Sequence, residues 1–127
     1  MNLRYNHILL ILISFIFIGC KSTQNKSKTS FKSEVFACYY HDKFNGRKTA
    51  SGAKFSNHKL TAAHKTLAFG TKLRVTNVAN NKSVDVIVND RGPFSKGLEI
   101  DLSKKAFMKI TDDKKHGRLK VIIEKLN

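Results

Sequence analysis

The sequence predicts a small, mainly β domain that closes into a barrel. Three observations support this prediction: several short apolar or alternating segments, turn-forming residues between them, and only one segment with helical periodicity. The strand-like segments do not alternate with helices as they do in βαβ proteins, and the chain shows no internal repeat. Short strands without long helical connections favour a barrel, because closure removes the exposed edges of a sheet.

Most of the folded part of the chain has the composition of β-strands. Residues 72–76 and 83–89 alternate apolar and polar positions, and turn-forming asparagines occur between them, so these two segments are expected to form a hairpin. The remaining candidates share a short length and a high apolar content, and they are residues 35–40, 60–63 and 118–126. We expect the last of these segments to close the sheet.

One segment, residues 103–110, is predicted to form a short helix. Ser103 has a side chain that favours the N-cap position. Ala106, Phe107 and Ile110 are spaced so that they would share one face of the helix. This face is expected to pack on the sheet.

The length, hydrophobic content and net charge of the chain indicate one folded domain with a strong positive charge. The chain has 127 residues, of which 41% are hydrophobic, so it has enough apolar side chains for a core. Its formal net charge is +15, from 24 Lys and Arg residues against 9 Asp and Glu residues. This excess predicts attraction to a polyanion such as nucleic acid, an anionic membrane surface or a cell-envelope polymer.

The first twenty residues have the pattern of a bacterial export signal. Arg4 precedes an apolar run at residues 8–18, which is shorter than the roughly 20 apolar residues of a transmembrane helix. Residues 17–20 (FIGC) resemble a lipobox, whose cysteine becomes the lipidated first residue of the mature protein. We therefore predict a signal peptide over residues 1–19 and lipidation of Cys20, with an uncleaved anchor or a secreted form as the alternatives.

The segment after the signal is predicted to be a tether. Residues 21–33 are polar and contain four lysines and no acid, a composition that cannot bury enough surface to order itself. The predicted organisation is therefore a lipidated cysteine and flexible tether at residues 20–33, followed by a folded domain at residues 34–127. A membrane anchor on Cys20 would place the domain in the cell envelope, facing the periplasm or the wall. In that location we expect no nucleic-acid partner.

Polar residues that could carry chemistry cluster between the strands, at residues 46–53, 60–71 and 89–94. The histidines show no paired ligand spacing, so neither a metal site nor a cofactor is predicted. A triad of Ser51, His64 and Asp90 is disfavoured, because no strained nucleophile elbow surrounds Ser51. A carboxylic acid acting beside a histidine fits better, although His64 alone is also compatible with a structural histidine, and Asp90 with a solvated turn.

Two further groups have structural interpretations. Cys38 lies in an apolar run and has no intrachain partner if Cys20 is acylated, so it is expected to be a small buried side chain and not a nucleophile. Asp101 precedes the predicted helix, and acids favour helix N-termini. We therefore expect Asp101 to cap this helix or to brace a neighbouring groove.

Several motifs occur in a fixed order between residue 37 and the C-terminus. They are NGRKTASG at 45–52, LTAAHKTL at 60–67, FGT at 69–71, VTN at 75–77, NDRGPF at 89–94 and IDLS at 100–103. Together they resemble the rare lipoprotein A (RlpA-like) family. The resemblance implies a six-stranded double-psi β-barrel, a fold also seen in expansins. It further implies a lipoprotein that acts at the bacterial envelope. Some members are lytic transglycosylases on glycan strands stripped of stem peptides, so the resemblance also implies this activity.

The resemblance also assigns residues to a site. It implies that Asp90 and His64 are catalytic residues in the active groove. Polar residues around this groove are expected to bind the substrate, and they are Thr49, Ser51, Thr61, Arg91 and Asp101. An acidic residue is implied directly after residues 49–52, where this sequence has Ala53. A methyl group can neither transfer a proton nor stabilise a developing oxocarbenium charge.

The sequence thus predicts an endolytic transglycosylase that cleaves MurNAc–GlcNAc bonds of peptidoglycan, preferring strands without stem peptides. Asp90 would act as general acid and then as base, with His64 orienting it or relaying its proton. The alternative is a weak or inactive glycan-binding envelope lipoprotein, in which Ala53 marks lost activity. In both cases we expect a monomer that needs no cofactor.

Overall fold

A computed structural model describes residues 34–126, which form a closed six-stranded barrel with one α-helix. The strands are β1 (Glu34–Tyr39), β2 (Thr61–His64), β3 (Lys72–Asn77), β4 (Ser83–Asp90), β5 (Ile100–Leu102) and β6 (Leu119–Lys125). A 3₁₀ turn (Asp42–Phe44) follows β1, and α1 (Lys104–Ile110) connects β5 to β6. The signal peptide, the lipidated Cys20 and the tether predicted for residues 1–33 lie outside the described residues.

The strands follow one another around the barrel in the order β1–β5–β2–β4–β3–β6. The pairs β1–β5 and β2–β4 are parallel, and the other four pairs are antiparallel. This arrangement confirms the predicted small barrel with one short helix. It also confirms the β3–β4 hairpin and the closing position of β6 between β1 and β3. The sequence pattern did not predict β5 as a strand, because three residues are too few to show an alternating pattern.

Alternate residues of the strands fill the barrel interior. On β4 these residues are Val84, Val86 and Val88, all nearly inaccessible to solvent, while the residues between them face outward. The buried face of α1 consists of the three predicted residues, Ala106, Phe107 and Ile110.

The start of α1 is also as predicted. The side chain of Ser103 accepts a hydrogen bond from the backbone N–H of Ala106, which is an N-cap contact. Within residues 34–126, no helix is long and apolar enough to span a bilayer.

A β-bulge at the end of β4 changes the face on which its last residue lies. Ala62 pairs with Val88, but the next residue, Ala63, pairs with Asp90, so Asn89 is an extra residue in β4. Regular alternation would direct Asp90 into the core together with Val88. Because of the bulge, Asp90 instead lies on the face of the sheet that points away from the core.

Candidate active site

A row of in-register residues crosses four strands on the face away from the core. Cys38 of β1 pairs with Asp101 of β5, and both Asp101 and Asp90 of β4 pair with Ala63 of β2. Cross-strand partners point to the same face of a sheet, so the two carboxylates lie on one side of the barrel with a methyl group between them. We refer to Cys38, Asp101, Ala63 and Asp90 as the carboxylate row.

The carboxylate of Asp90 is held by three donors. The backbone N–H groups of Ala50 and Arg91 donate to its Oδ1 atom, at 2.8 and 2.9 Å. The phenol of Tyr40 donates to its Oδ2 atom, at 2.6 Å. Two donors occupy both lone pairs of Oδ1, whereas Oδ2 has only one donor. The oxygen with room for a transferable proton is therefore Oδ2.

Tyr40 belongs to the site, although the sequence did not predict it as a site residue. Its ring lies between two other aromatic rings, with centroid distances of 4.3 Å to Phe55 and 5.8 Å to Phe44. Burial raises the pKa of Tyr40, and the hydrogen bond to Asp90 raises this pKa further, so the side chain remains a phenol donor at neutral pH. In the sequence Tyr40 only ends an apolar run, and nothing there connects it to a carboxylate fifty residues away.

The second carboxylate of the row, Asp101, is bound to the thiol of Cys38. Cys38 Sγ donates to Asp101 Oδ1 at 2.7 Å. Burial raises the pKa of Asp101, the hydrogen bond from Cys38 opposes this effect, and the charge of Asp90 adds to it. Burial also raises the pKa of Cys38 to about 12, so Cys38 remains a thiol at neutral pH. The half-buried thiol is thus a hydrogen-bond donor to a carboxylate, and not simply an apolar side chain.

The first turn of α1 contains no acidic residue, and its cap is Ser103. The expectation that Asp101 caps this helix is therefore wrong. Asp101 belongs to β5, and its position in the register directs the carboxylate toward Cys38 and the carboxylate row.

The loop at residues 49–53 is attached to the end of β4. Ser51 donates its backbone N–H to the carbonyl of Asn89 at 3.2 Å. Thr49 is buried, and its hydroxyl donates to the carbonyl of Ala53 at 2.9 Å, so this hydroxyl is used within the loop. Ser51 and Ala53 are exposed. The methyl group of Ala53 therefore occupies a solvent-facing position in a loop that contacts the site.

His64 lies on the other face of the sheet. It pairs with the core residue Ile100 and is only 2% exposed. Its Nδ1 atom accepts hydrogen bonds from the backbone N–H groups of Thr66 and Leu67, both at 3.2 Å. Its Nε2 atom, which then carries the proton, lies 3.4 Å from a carboxylate oxygen of Glu99. We refer to residues 64–67 as the histidine turn.

The histidine turn holds the side chain of Arg91. The guanidinium of Arg91 donates to the carbonyls of His64 and Leu67, at 3.2 and 2.8 Å, and stacks on Phe69 at 4.0 Å from the ring centroid. Burial lowers the pKa of His64; the charge of Glu99 opposes this shift and the charge of Arg91 reinforces it. His64 is consequently neutral at pH 7.

The structure brings together some of the predicted residues and separates others. Across residues 34–126, no hydrogen bond or ion pair joins Asp90 to His64, or to the side chain of Arg91. The position beside Asp90 that we expected for His64 is occupied by Tyr40. Thr61 begins β2 and lies two residues from Ala63 on the same face. In the same described range, no three His, Cys, Asp or Glu residues are grouped to hold a metal ion.

Comparison with known proteins gives a consistent family signal. A double-psi β-barrel family model described as "Lytic transglycolase" matches residues 32–123. The chain is 48% identical over 109 residues to the endolytic peptidoglycan transglycosylase RlpA of Rickettsia felis, covering 84% of this chain and 47% of that protein. It is 44% identical over 93 residues to the protein of the same name from Pasteurella multocida, covering 73% and 32%. The chain thus spans less than half the length of these relatives.

Solved structures show the same fold at low sequence identity. The Streptomyces papain inhibitor superposes with a TM-score of 0.62 at 19% identity, covering 80% of this chain and all of the inhibitor. An expansin from Clavibacter michiganensis superposes with a TM-score of 0.56 at 22% identity, covering 75% of this chain and 50% of the expansin. These two similarities concern the fold alone.

Proposed function

Because the chain belongs to the lytic transglycolase family of double-psi β-barrels, we propose that it cleaves the MurNAc–GlcNAc bond of peptidoglycan glycan strands by lytic transglycosylation. The observation that carries this proposal is the oriented carboxylate of Asp90, whose Oδ2 atom has room for a transferable proton. The relatives named as endolytic peptidoglycan transglycosylases support the substrate class and a location in the bacterial envelope.

One carboxylate suffices for the proposed reaction. The protonated Oδ2 atom of Asp90 gives its proton to the glycosidic oxygen while the bond from that oxygen to C1 of MurNAc breaks. The resulting carboxylate then takes the proton of the C6 hydroxyl while O6 attacks C1 and closes a 1,6-anhydro ring. No water is consumed, and Asp90 is protonated again at the end. The second carboxylate that an ordinary glycosidase needs for activating water is not required.

Other residues near the carboxylate row are proposed to support this step. Tyr40 is proposed as a positioning residue, because its phenol fixes the orientation of Oδ2. Asp101 and Thr61, on the same face, and the exposed Ser51 are proposed to bind sugar hydroxyls. Thr49 is proposed to shape the loop, since its hydroxyl is already used there.

His64 and Arg91 are proposed to act together. His64 accepts the two amides of the histidine turn, and the carbonyls of this turn hold the guanidinium of Arg91. The backbone N–H of Arg91 in turn donates to Asp90. In this proposal His64 contributes to catalysis by positioning Arg91, which holds the segment that carries Asp90.

The second candidate function is a glycan-binding module without activity. The observation that favours it is the exposed methyl group of Ala53, at a position where the family resemblance implies an acid. Loss of one charge-stabilising group costs on the order of 10²–10³ in rate by analogy with oxyanion-hole deletions. We propose that the native chain is a slow enzyme, and that Ala53→Glu increases its rate.

The proposal also includes a membrane anchor, a monomeric state and a glycan preference. We propose that Cys20 is lipidated after removal of residues 1–19, and that residues 20–33 tether a monomeric domain to a membrane at the wall. We also propose a preference for glycan strands without stem peptides.

Product analysis tests the proposed function. The full chain is incubated with intact and with peptide-stripped glycan, and the released ends are identified by mass spectrometry. We expect anhydro-ended products, lighter by one water than hydrolysis products, released faster from stripped glycan. Reducing ends would indicate a hydrolase. Products formed by Ala53→Glu but not by the native chain would indicate the binding module instead.

A further inference from the structure

Phe94 is the large hydrophobic side chain most exposed to solvent among residues 34–126. Its exposed fraction is 88%, against 42% for Phe69 and 37% for Phe36. The rings of Phe69 and Phe36 are each covered by an arginine, with guanidinium carbons 4.0 and 3.7 Å from the ring centroids. Phe94 has no ring or cation contact within the described residues. The ring of Phe94 is therefore open to a ligand on both faces more fully than any other aromatic ring of the described residues.

The backbone beneath this ring is anchored. Gly92 and Pro93, directly before it, are both buried, although the ring of Phe94 projects into solvent. Gly92 has a φ of 128°, a conformation that favours glycine. The exposure of Phe94 therefore belongs to a segment whose neighbouring residues are packed.

The ring stands at the edge of the carboxylate row. A Cβ atom built on Gly92 would lie 3.6 Å from Cε2 of Phe94 and 3.8 Å from Oδ2 of Asp101. The aromatic ring and the Asp101 carboxylate thus flank the same glycine. Asp90 precedes Gly92 by two residues and lies on the same face as Asp101.

An aromatic face beside carboxylates has the chemistry of a sugar subsite. A pyranose ring presents C–H groups on its faces and hydroxyl groups around its edge. The C–H groups pack on an aromatic face, while carboxylate oxygens accept hydrogen bonds from the hydroxyls. A lipid surface fits less well, because docking the ring there would also bring Asp101 and Asp90 toward anionic headgroups.

We propose that Phe94 is the stacking platform of a subsite for one pyranose ring of the glycan, next to the bond at Asp90. The identity of this ring as part of peptidoglycan rests on the proposed function, but the platform itself rests on the geometry of Phe94, Gly92 and Asp101. The subsite contributes to glycan affinity and not to the proton transfer.

The chain contains no tryptophan, so Phe94→Trp introduces a single tryptophan at the platform, whose emission is read with excitation above the tyrosine absorption. The full-length variant is titrated with peptide-stripped glycan and, separately, with vesicles of anionic phospholipid. We expect a saturable change in emission with the glycan and none with the vesicles. The matched control is Ile122→Trp on β6, a strand outside the carboxylate row, whose emission is expected to remain constant with the glycan.

A second variant, Phe94→Ala, separates binding from catalysis. We expect an unchanged melting temperature, because the removed ring is exposed, and about a tenfold weaker affinity or higher KM with little change in kcat. Phe94→Tyr is expected to keep the native affinity.

The outcomes distinguish this inference from the proposed function. A glycan response of Phe94→Trp without any anhydro-ended product from the native chain would support the platform and overturn the reaction. Native cleavage with an unchanged KM in Phe94→Ala would overturn the platform and leave the reaction in place. A response to vesicles alone would also overturn it and would identify Phe94 as a membrane contact.

Discussion

Ala63 and His64 are neighbours on β2, yet they belong to two different regions of the molecule. Ala63 lies in the carboxylate row, where its partners on the adjacent strands are Asp90 and Asp101. His64 pairs with Ile100 and turns toward the core, where its ring is satisfied by two backbone amides and faces Glu99. Groups that are close in sequence are thus separated by the alternation of a strand.

The difference between the two regions suits them to two different roles in the proposed reaction. At the carboxylate row, side chains donate to side chains: Tyr40 donates to Asp90, and Cys38 donates to Asp101. Two backbone amides also donate to Asp90. In the histidine turn, the imidazole binds backbone amides, and backbone carbonyls bind Arg91. The first region is suited to proton transfer, and the second to holding a loop in place.

The largest effect among the variants at three positions that test these two roles is expected from Tyr40→Phe. This change removes the hydrogen bond to Asp90 Oδ2 but keeps the ring between Phe44 and Phe55. We expect kcat to fall roughly 10- to 100-fold with little change in KM. The matched control is Tyr39→Phe, whose ring packs on Phe107. Equal activity of the two variants would show that Tyr40 does not position Asp90.

A smaller effect is expected from His64→Asn, because the amide oxygen of asparagine can accept the hydrogen bonds of the histidine turn. His64→Ala leaves these amides unpaired and is expected to cost about 1–3 kcal/mol of stability, together with some activity. Steady-state rates and thermal melts of both variants distinguish the two roles of His64. If His64 instead relays a proton, the asparagine variant will be as inactive as the alanine variant.

Substitution of His64 is also expected to change how the stability of the fold depends on pH. Since burial lowers the pKa of His64, its unfolded form binds a proton below about pH 6.5 while its folded form does so only at a lower pH. The native fold therefore loses stability as the pH falls through this range, and His64→Asn is expected to lose less. Thermal melts between pH 7.5 and 5.5 measure the difference, with His58→Asn, an exposed histidine, as control. Parallel losses in all variants would contradict the shift.

The smallest effect is expected from Asp101→Asn. Burial raises the pKa of Asp101, so its charged form at neutral pH destabilises the fold, and this cost appears as the pH rises through the carboxyl range. Removing the charge should therefore increase the melting temperature at pH 7, and the gain should shrink toward pH 4. Asp113→Asn, at an exposed position, is the control. A loss of stability at pH 7 would contradict this interpretation.

The sequence was sufficient to predict the elements whose pattern is local. The alternation at Val84, Val86 and Val88 predicted β4, and Ser103 predicted the start of α1. The short strand β5 was missed because three residues carry no periodicity. The family resemblance named Asp90, but its neighbours depend on the strand register. The bulge at Asn89 directs Asp90 to the face where Tyr40 reaches it, and no local pattern in the sequence marks an extra residue in a strand.

We propose above all that Asp90, on the face away from the core, transfers the proton. The most direct measurement is the rate at which the native chain, Asp90→Asn and the control Asp113→Asn release anhydro-ended products from peptide-stripped glycan. Asparagine can keep the amide contacts at Oδ1, so Asp90→Asn is expected to fold normally, and a thermal melt tests this expectation. We expect its rate to fall on the order of 10²–10⁴-fold while the control is unaffected. An Asp90→Asn variant that releases these products at the native rate would contradict the account.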